Sequence, residues 1–157
     1  MTPTPAVLFV CMGNICRSPL AEAAFRHVAT KAGLAVTVDS AGTGSWHVGA
    51  PPDQRACSVA RRHGIDITSY RARVVKVTDF ARFTHIVALD RANLEHLLSI
   101  RPPGSRAEVS LLLDHVPGRQ GQSVADPYYS PASAFDTTWR DVTAGAEGLV
   151  RKLRSRS

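Results

Sequence analysis

The stretch Val7 to Pro19, Val-Leu-Phe-Val-Cys-Met-Gly-Asn-Ile-Cys-Arg-Ser-Pro, limits the possible folds of this chain more than any other. A short apolar run of β-branched and aromatic residues reads as an interior strand. Ser18-Pro19 reads as an N-cap followed by proline at the first helical position. Cys11 to Arg17 is then the connecting loop. Its successive amides, a glycine at 13 able to take a positive φ, and the dipole of the following helix together make a cradle for an anion of phosphate size. An interior strand that runs straight into a helix also opens a βαβ unit, which requires parallel strands and a right-handed crossover.

The remaining pattern repeats that unit. Leu20, Ala21, Ala24, Phe25, Val28 and Ala29 share a helical face that Gly33 ends, with Glu22 placed near the helix start where a carboxylate suits the dipole. Val36 to Ser40 reads as a second strand. The loop Ala41 to Pro52, rich in glycine and proline, carries Trp46 and His47. The indole either folds back onto the core or forms an aromatic wall beside the site. Asp53 caps a helix to His63, with Ala56, Val59 and Ala60 inward and Cys57 as plain core. After an irregular segment, with a helical turn near Thr78 to Arg82, Thr84 to Leu89 reads as a third strand. Asp90 to Ile100 reads as a helix burying Leu94, Leu97 and Leu98, and Val109 to Leu113 as a fourth strand. A long connection, Asp114 to Pro131, precedes a helix built on Phe135, Trp139, Val142, Ala146, Leu149, Val150 and Leu153 despite Gly145 and Gly148. Its closing cations, Arg151, Lys152, Arg154 and Arg156, suit a helix C-terminus. The expected fold is α/β: one domain over 1–157, a three-layer sandwich of a four-stranded parallel sheet, order 2-1-3-4, with helices on both faces. Ligands of such sheets bind at the carboxyl ends of the strands near the switch point, where the Cys11 loop leaves the first strand.

Composition narrows the function. At 157 residues and 44% apolar content the chain can bury a core without disulfides. Its longest strongly apolar run, Ala6 to Val10, falls far short of the roughly 20 residues of a membrane span. The start Met-Thr-Pro-Thr-Pro lacks a basic n-region, which predicts cytoplasmic residence with reduced thiols, export by another route staying open. A net charge of +6 favours acidic partners, phosphorylated ones included. The cations are scattered without interleaved aromatics, which argues against nucleic acid. Cys11 and Cys16 have the spacing of a metal pair, but with three cysteines in all no second pair exists and no metal is expected. A nucleotide-binding Gly-Lys-Ser or Gly-Lys-Thr loop is missing.

A thiol with a pKa of about 8.5 becomes a useful nucleophile when a helix N-terminus and a cation stabilise its thiolate. The loop amides and Arg17 supply both to Cys11. The planar guanidinium can hold two oxygens of a phosphate monoester while the amides take the rest. An expelled alkoxide or phenoxide needs an acid, and Asp126, held extended before a proline in the long loop, is the candidate. The same carboxylate can then activate water against a phosphocysteine.

With these residues in view, the chain resembles the low-molecular-weight protein tyrosine phosphatases, bacterial type, over essentially its whole length. Val10 to Pro19 resembles the family's phosphate loop, Asp126-Pro-Tyr-Tyr its acid loop, and Ser40-Ala-Gly-Thr with Trp46-His-Val-Gly a further loop. The resemblance implies Cys11 as nucleophile, Arg17 as clamp and Asp126 as general acid and base. Phosphate would be held by Met12, Gly13, Asn14, Ile15, Cys16, Arg17 and Ser18, with Asn14, Ser18 and Ser40 as loop supports. Ile15, Trp46, Tyr128 and Tyr129 would line the substrate slot. It also implies phosphotyrosine-containing proteins as partners, inhibition by phosphate-like oxyanions, no cofactor, and a monomer or weak dimer.

Two positions depart from the family pattern. Met12 stands where leucine is more usual, and Tyr70 stands where many members have a histidine that helps to brace the loop. A phenol can hydrogen-bond but carries no positive charge, which leaves the bracing of Asn14 open. Among rivals, arsenate reductases of this fold imply two late cysteines, whereas the last cysteine here is Cys57. Related arginine phosphatases carry threonine where Ile15 stands, and an apolar Ile15 suits an aryl ester. A phosphate-binding regulator without turnover would not need Cys11, Arg17 and Asp126 together. Cys16 has two readings: a small residue filling the underside of the loop, or a resolving thiol that traps oxidised Cys11 as a disulfide.

Overall fold

A computed structural model describes residues 4–155. Its centre is a parallel sheet of β1 (Ala6–Cys11), β2 (Thr37–Gly42), β3 (His85–Ala88) and β4 (Glu108–Leu111), in the order β2-β1-β3-β4. The expected strand order and parallel pairing are what the chain adopts. β1 sits between β2 and β3, so chain direction across the sheet reverses beside it, and its last residue, Cys11, pairs with Gly42. Alternation along β1 sorts its side chains between two cores. Val7, Phe9 and Cys11 face one, with α1 (Arg17–Lys31), α2 (Gln54–Arg62) and α5 (Ala134–Arg154). Leu8 and Val10 face the other, with α3 (Asp79–Arg82) and α4 (Arg91–Ile100). Both faces are therefore dry, as an all-parallel sheet requires. Among the described residues no helix is long and apolar enough to cross a membrane.

Several local expectations need correction. Helix α1 begins at Arg17 with Cys16 in the cap position and no side-chain cap, so Ser18 is not the N-cap. Ser18 lies in the first turn, fully buried, because its hydroxyl is engaged by Cys11 and Asn14. Glu22 does not serve the dipole from the first turn; it is buried and accepts from Ser40. Strand β2 starts at Thr37 and continues to Gly42, beyond Ser40, where a bridge to Val74 extends its pairing. On α4 Asn93 and Leu97 are buried and Leu94 packs half-buried against the core as expected, whereas Leu98 is exposed. Cys57 is only half-buried at the core margin, its Sγ 3.7 Å from the Pro52 carbonyl oxygen.

The fourth strand ends at Leu111 and not at Leu113. The Asp114 carboxylate accepts the Leu111 amide at 2.9 Å and turns Leu112–His115 into a single 3-10 turn. That turn rests directly on α5. A Cβ at Gly148 would stand 1.9 Å from the His115 carbonyl oxygen, and one at Gly145 would stand 2.4 Å from Leu112 Cγ. The two glycines that weaken α5 on propensity are what let it approach. The apolar stripe of α5, from Phe135 to Leu153, is buried as expected, while Arg156 lies outside the described residues.

Candidate active site

The loops leaving the carboxyl ends of the strands meet around Cys11. Residues 12–16 connect β1 to α1, and the amides of Thr43 and Gly44 pin them by donating to the carbonyls of Cys11 (2.9 Å) and Met12 (3.0 Å). Gly42 permits this approach, since a Cβ there would meet the Met12 oxygen at 2.8 Å. No backbone acceptor among the described residues takes the amides of Gly13 to Cys16. Donors gathered at the N-terminus of a 15-residue helix form a ready anion site.

The positive φ falls on Asn14 (58°), not on Gly13 as the sequence suggests. Asn14 is buried and fully tied. Its Nδ2 donates to Ser18 Oγ (2.7 Å) and Ser40 Oγ (3.0 Å), and its Oδ1 accepts the Arg73 amide (3.0 Å). The Ser40 hydroxyl in turn donates to the Glu22 carboxylate (2.7 Å). Ser18 Oγ stands 3.0 Å from Cys11 Sγ, and because it already accepts from Asn14, its proton is free to point at a thiolate. Donation therefore runs outward from Asn14 in two branches, through Ser40 to Glu22 and through Ser18 to Cys11, which links the five residues in one connected chain. Tyr70 does not touch Asn14. Its hydroxyl accepts from Arg26, which also pairs with Glu22 at 2.9 Å, so this residue acts on the outer end of the chain. Burial raises the pKa of Glu22, an effect opposed by Ser40 and Arg26.

Arg17 is nearly inaccessible at 3% exposure. One guanidinium nitrogen donates to Asp90 (2.7 Å) and to the Val124 carbonyl (3.0 Å), and the other lies 3.6 Å from Asp126. Burial works against its charge, but Cys11, Asp90 and Asp126 outweigh that effect and raise its pKa. Asp90 has a second duty: its other oxygen caps α4 through the Asn93 amide at 2.7 Å. The loop that carries Asp126 is anchored twice. Val124 donates to Leu89 at the end of β3, and Arg55 holds the Tyr128 and Ser130 carbonyls while gripping Asp53. Asp126 itself accepts the Tyr128 amide at 3.1 Å, as expected of a carboxylate folded over a turn.

These groups line a cavity of about 450 Å³. Cys11, Met12, Gly13, Ile15, Cys16, Arg17 and Asp126 form it together with Trp46, Tyr128 and Tyr129. Trp46 is 71% exposed, so its indole does not return to the core; it lies over Gly44, where a Cβ would stand 1.7 Å away. Tyr128 and Tyr129 meet edge-to-face at 4.8 Å. Of the predicted supports, Asn14, Ser18 and Ser40 form the buried chain beneath the loop and do not line the cavity. Cys16 sits in the core, and burial, then Asp53, Cys11 and Asp126, push its thiol well above the usual range. Among the described residues no three His, Cys, Asp or Glu side chains are placed to share a metal ion.

Sequence reasoning missed Asp90, Arg55, Glu22 and His47, which also lines the cavity. In the sequence Asp90 stands only as the first residue of the helix that runs to Ile100, and Arg55 carries no signal of its own. A carboxylate at the end of an interior strand was the available signal for the first.

A family model of the low molecular weight phosphotyrosine protein phosphatases matches residues 6–157. The chain is 46% identical to the low molecular weight phosphotyrosine protein phosphatase of Schizosaccharomyces pombe, over 98% of this chain and 99% of that one. The crystal structure of YfkJ from Bacillus subtilis superposes with a TM-score of 0.91 at 37% identity, covering 99% and 98% of the two chains. That of a Drosophila arginine phosphatase gives 0.88 at 32% identity, covering 96% and 99%.

Proposed function

The chain belongs to the low molecular weight phosphotyrosine protein phosphatases and is a phosphatase, and from that premise we propose that it hydrolyses phosphotyrosine in proteins through a phosphocysteine on Cys11. The Cys11 thiolate, receiving the Ser18 proton as a hydrogen bond, attacks phosphorus; the S–P bond forms as the P–O bond to the tyrosine breaks. Arg17 and the loop amides hold the phosphoryl oxygens and stabilise charge that builds in the transition state. Asp126 delivers a proton to the departing phenolate, then takes one from the water that cleaves the phosphocysteine. No step needs a cofactor.

The observation that carries this reading is that Cys11, Arg17 and Asp126 line one cavity walled by aromatic rings, with the Arg17 guanidinium 3.6 Å from Asp126. Ile15 and the rings favour an aryl ester over the guanidine of phosphoarginine, although similarity in fold extends to an arginine phosphatase. We assign to Cys16, buried in the same loop, the role of resolving thiol: it condenses with the sulfenic acid of oxidised Cys11, releasing water and forming a disulfide.

Steady-state turnover of an aryl phosphate, phosphotyrosine, phosphoserine and phosphoarginine peptides, and arsenate tests the substrate class. Phosphotyrosine should be preferred. Cys11→Ser should bind but not cleave it, and Asp126→Ala should lose about 10²- to 10⁴-fold in kcat. Binding without turnover by the native chain would make it a phosphate-recognition module, and phosphoarginine preference would replace the substrate. Peroxide added to the same assay should inactivate reversibly in the native chain and irreversibly in Cys16→Ser; equal recovery would remove the role given to Cys16.

A further inference from the structure

Large apolar side chains that stand exposed are few among the described residues: Met12, Trp46, Val48, Val77, Leu98 and Tyr129. On an ordinary surface such residues are scattered. Here Met12 (45% exposed), Trp46 (71%) and Tyr129 (93%) line the opening of one cavity, and Val48 (58%) follows His47, another lining residue, on the turn closed by the Val48 amide and Ser45. Charge is distributed the other way. Arg17, the one Lys or Arg among the described residues lining the cavity, is buried and held by Asp90, and Arg55 is occupied by Asp53 and two carbonyls. A phosphotyrosine seated on the loop would bring its neighbouring residues onto Met12, Trp46, Val48 and Tyr129. Among the described residues lining the opening an acidic neighbour would find no unpaired Lys or Arg, whereas an apolar one would find surface to bury.

Resting on the phosphotyrosine reading, we propose that this rim is a docking surface for apolar residues flanking the phosphotyrosine of a protein substrate, so that the enzyme selects apolar over acidic sequence contexts. The surface is continuous with the slot, and its chemistry fixes the occupant as a peptide segment with aliphatic or aromatic neighbours. The net charge of +6 attracts acidic molecules, but at physiological salt that steering is screened beyond about 8 Å, and at the surface contact chemistry decides.

The test compares kcat/KM near 0.15 M salt for three phosphotyrosine peptides of equal length, with Leu and Phe, Ser and Gln, or Asp and Glu beside the phosphotyrosine, and for a small aryl phosphate. Burying one or two apolar side chains predicts about a tenfold preference for the first peptide over the second. The acidic peptide should be no better than the polar one. Val48→Gln should cut the apolar-to-polar ratio at least twofold without changing aryl phosphate turnover, and Leu98→Gln, away from the opening, should leave it intact. Equal rates on the peptides, an acidic preference, or an unchanged ratio in Val48→Gln would overturn the docking surface while aryl phosphate turnover still upheld the phosphatase site. Loss of aryl phosphate turnover in the native chain would overturn both.

Discussion

Asn14 is the one non-glycine residue with positive φ among the described residues, and all three of its hydrogen bonds serve the loop. A left-handed conformation costs an L-residue roughly 1–2 kcal/mol, least for asparagine. The sequence pointed to Gly13 because glycine adopts such a backbone freely, but a glycine cannot also tie down what it bends. Asn14 does both, and its position relative to Arg73, 59 residues away, is invisible to local reading. Asn14→Gly should therefore keep the backbone path and lose the chain from Glu22 to Cys11, while Asn14→Ala should lose both. Urea denaturation is expected to rank the glycine variant above the alanine one. Both should fall about 10- to 100-fold in kcat/KM, as the loss of buried hydrogen bonds of about 1–3 kcal/mol implies. Full activity in Asn14→Gly would show that only the bend matters.

At the scale of elements, α5 sets two effects of opposite sign against each other. Gly148→Ala removes a helix-weakening residue, which on propensity alone should stabilise by about 1 kcal/mol. Its Cβ, however, would lie 1.9 Å from a backbone oxygen of the 3-10 turn, and overpacking costs about 1–3 kcal/mol or more where backbone must move. Packing wins, so the midpoint of thermal unfolding should fall; a rise would mean that the turn yields freely. The strands, the helix order and the buried stripe of α5 were legible because apolar periodicity is local. The face of α4 was not, since Asn93, whose amide is tied to the Asp90 cap, is buried while Leu98 stands exposed. Cys11, Arg17 and Asp126 were likewise legible from their motifs. Asp90, which lies 73 residues from Arg17 and meets it only because β3 pairs with β1, was not.

For the molecule as a whole, one buried imidazole contributes to the response to acid. His115 ends the 3-10 turn, bonded to Ser110 at 3.0 Å. Burial and then Lys152 lower its pKa to about 4, His85 acting in the same direction and Asp114 and Glu108 against it. The unfolded chain protonates this imidazole near its ordinary value of about 6.5. Between those two values the unfolded state binds the extra proton, so stability must decrease as pH falls through the interval. Above about 6.5 the contribution is complete, and below about 4 no further loss comes from this group. The carboxylates Asp53 and Asp66, whose pKa values are lowered by hydrogen bonds from Arg55 and Thr68, add losses only at lower pH. His115→Gln can keep a hydrogen bond to Ser110 and removes the titration. Chemical denaturation at pH 7.5 and 4.5 should show the native chain losing more stability between the two than the variant does; equal losses would place the acid sensitivity elsewhere.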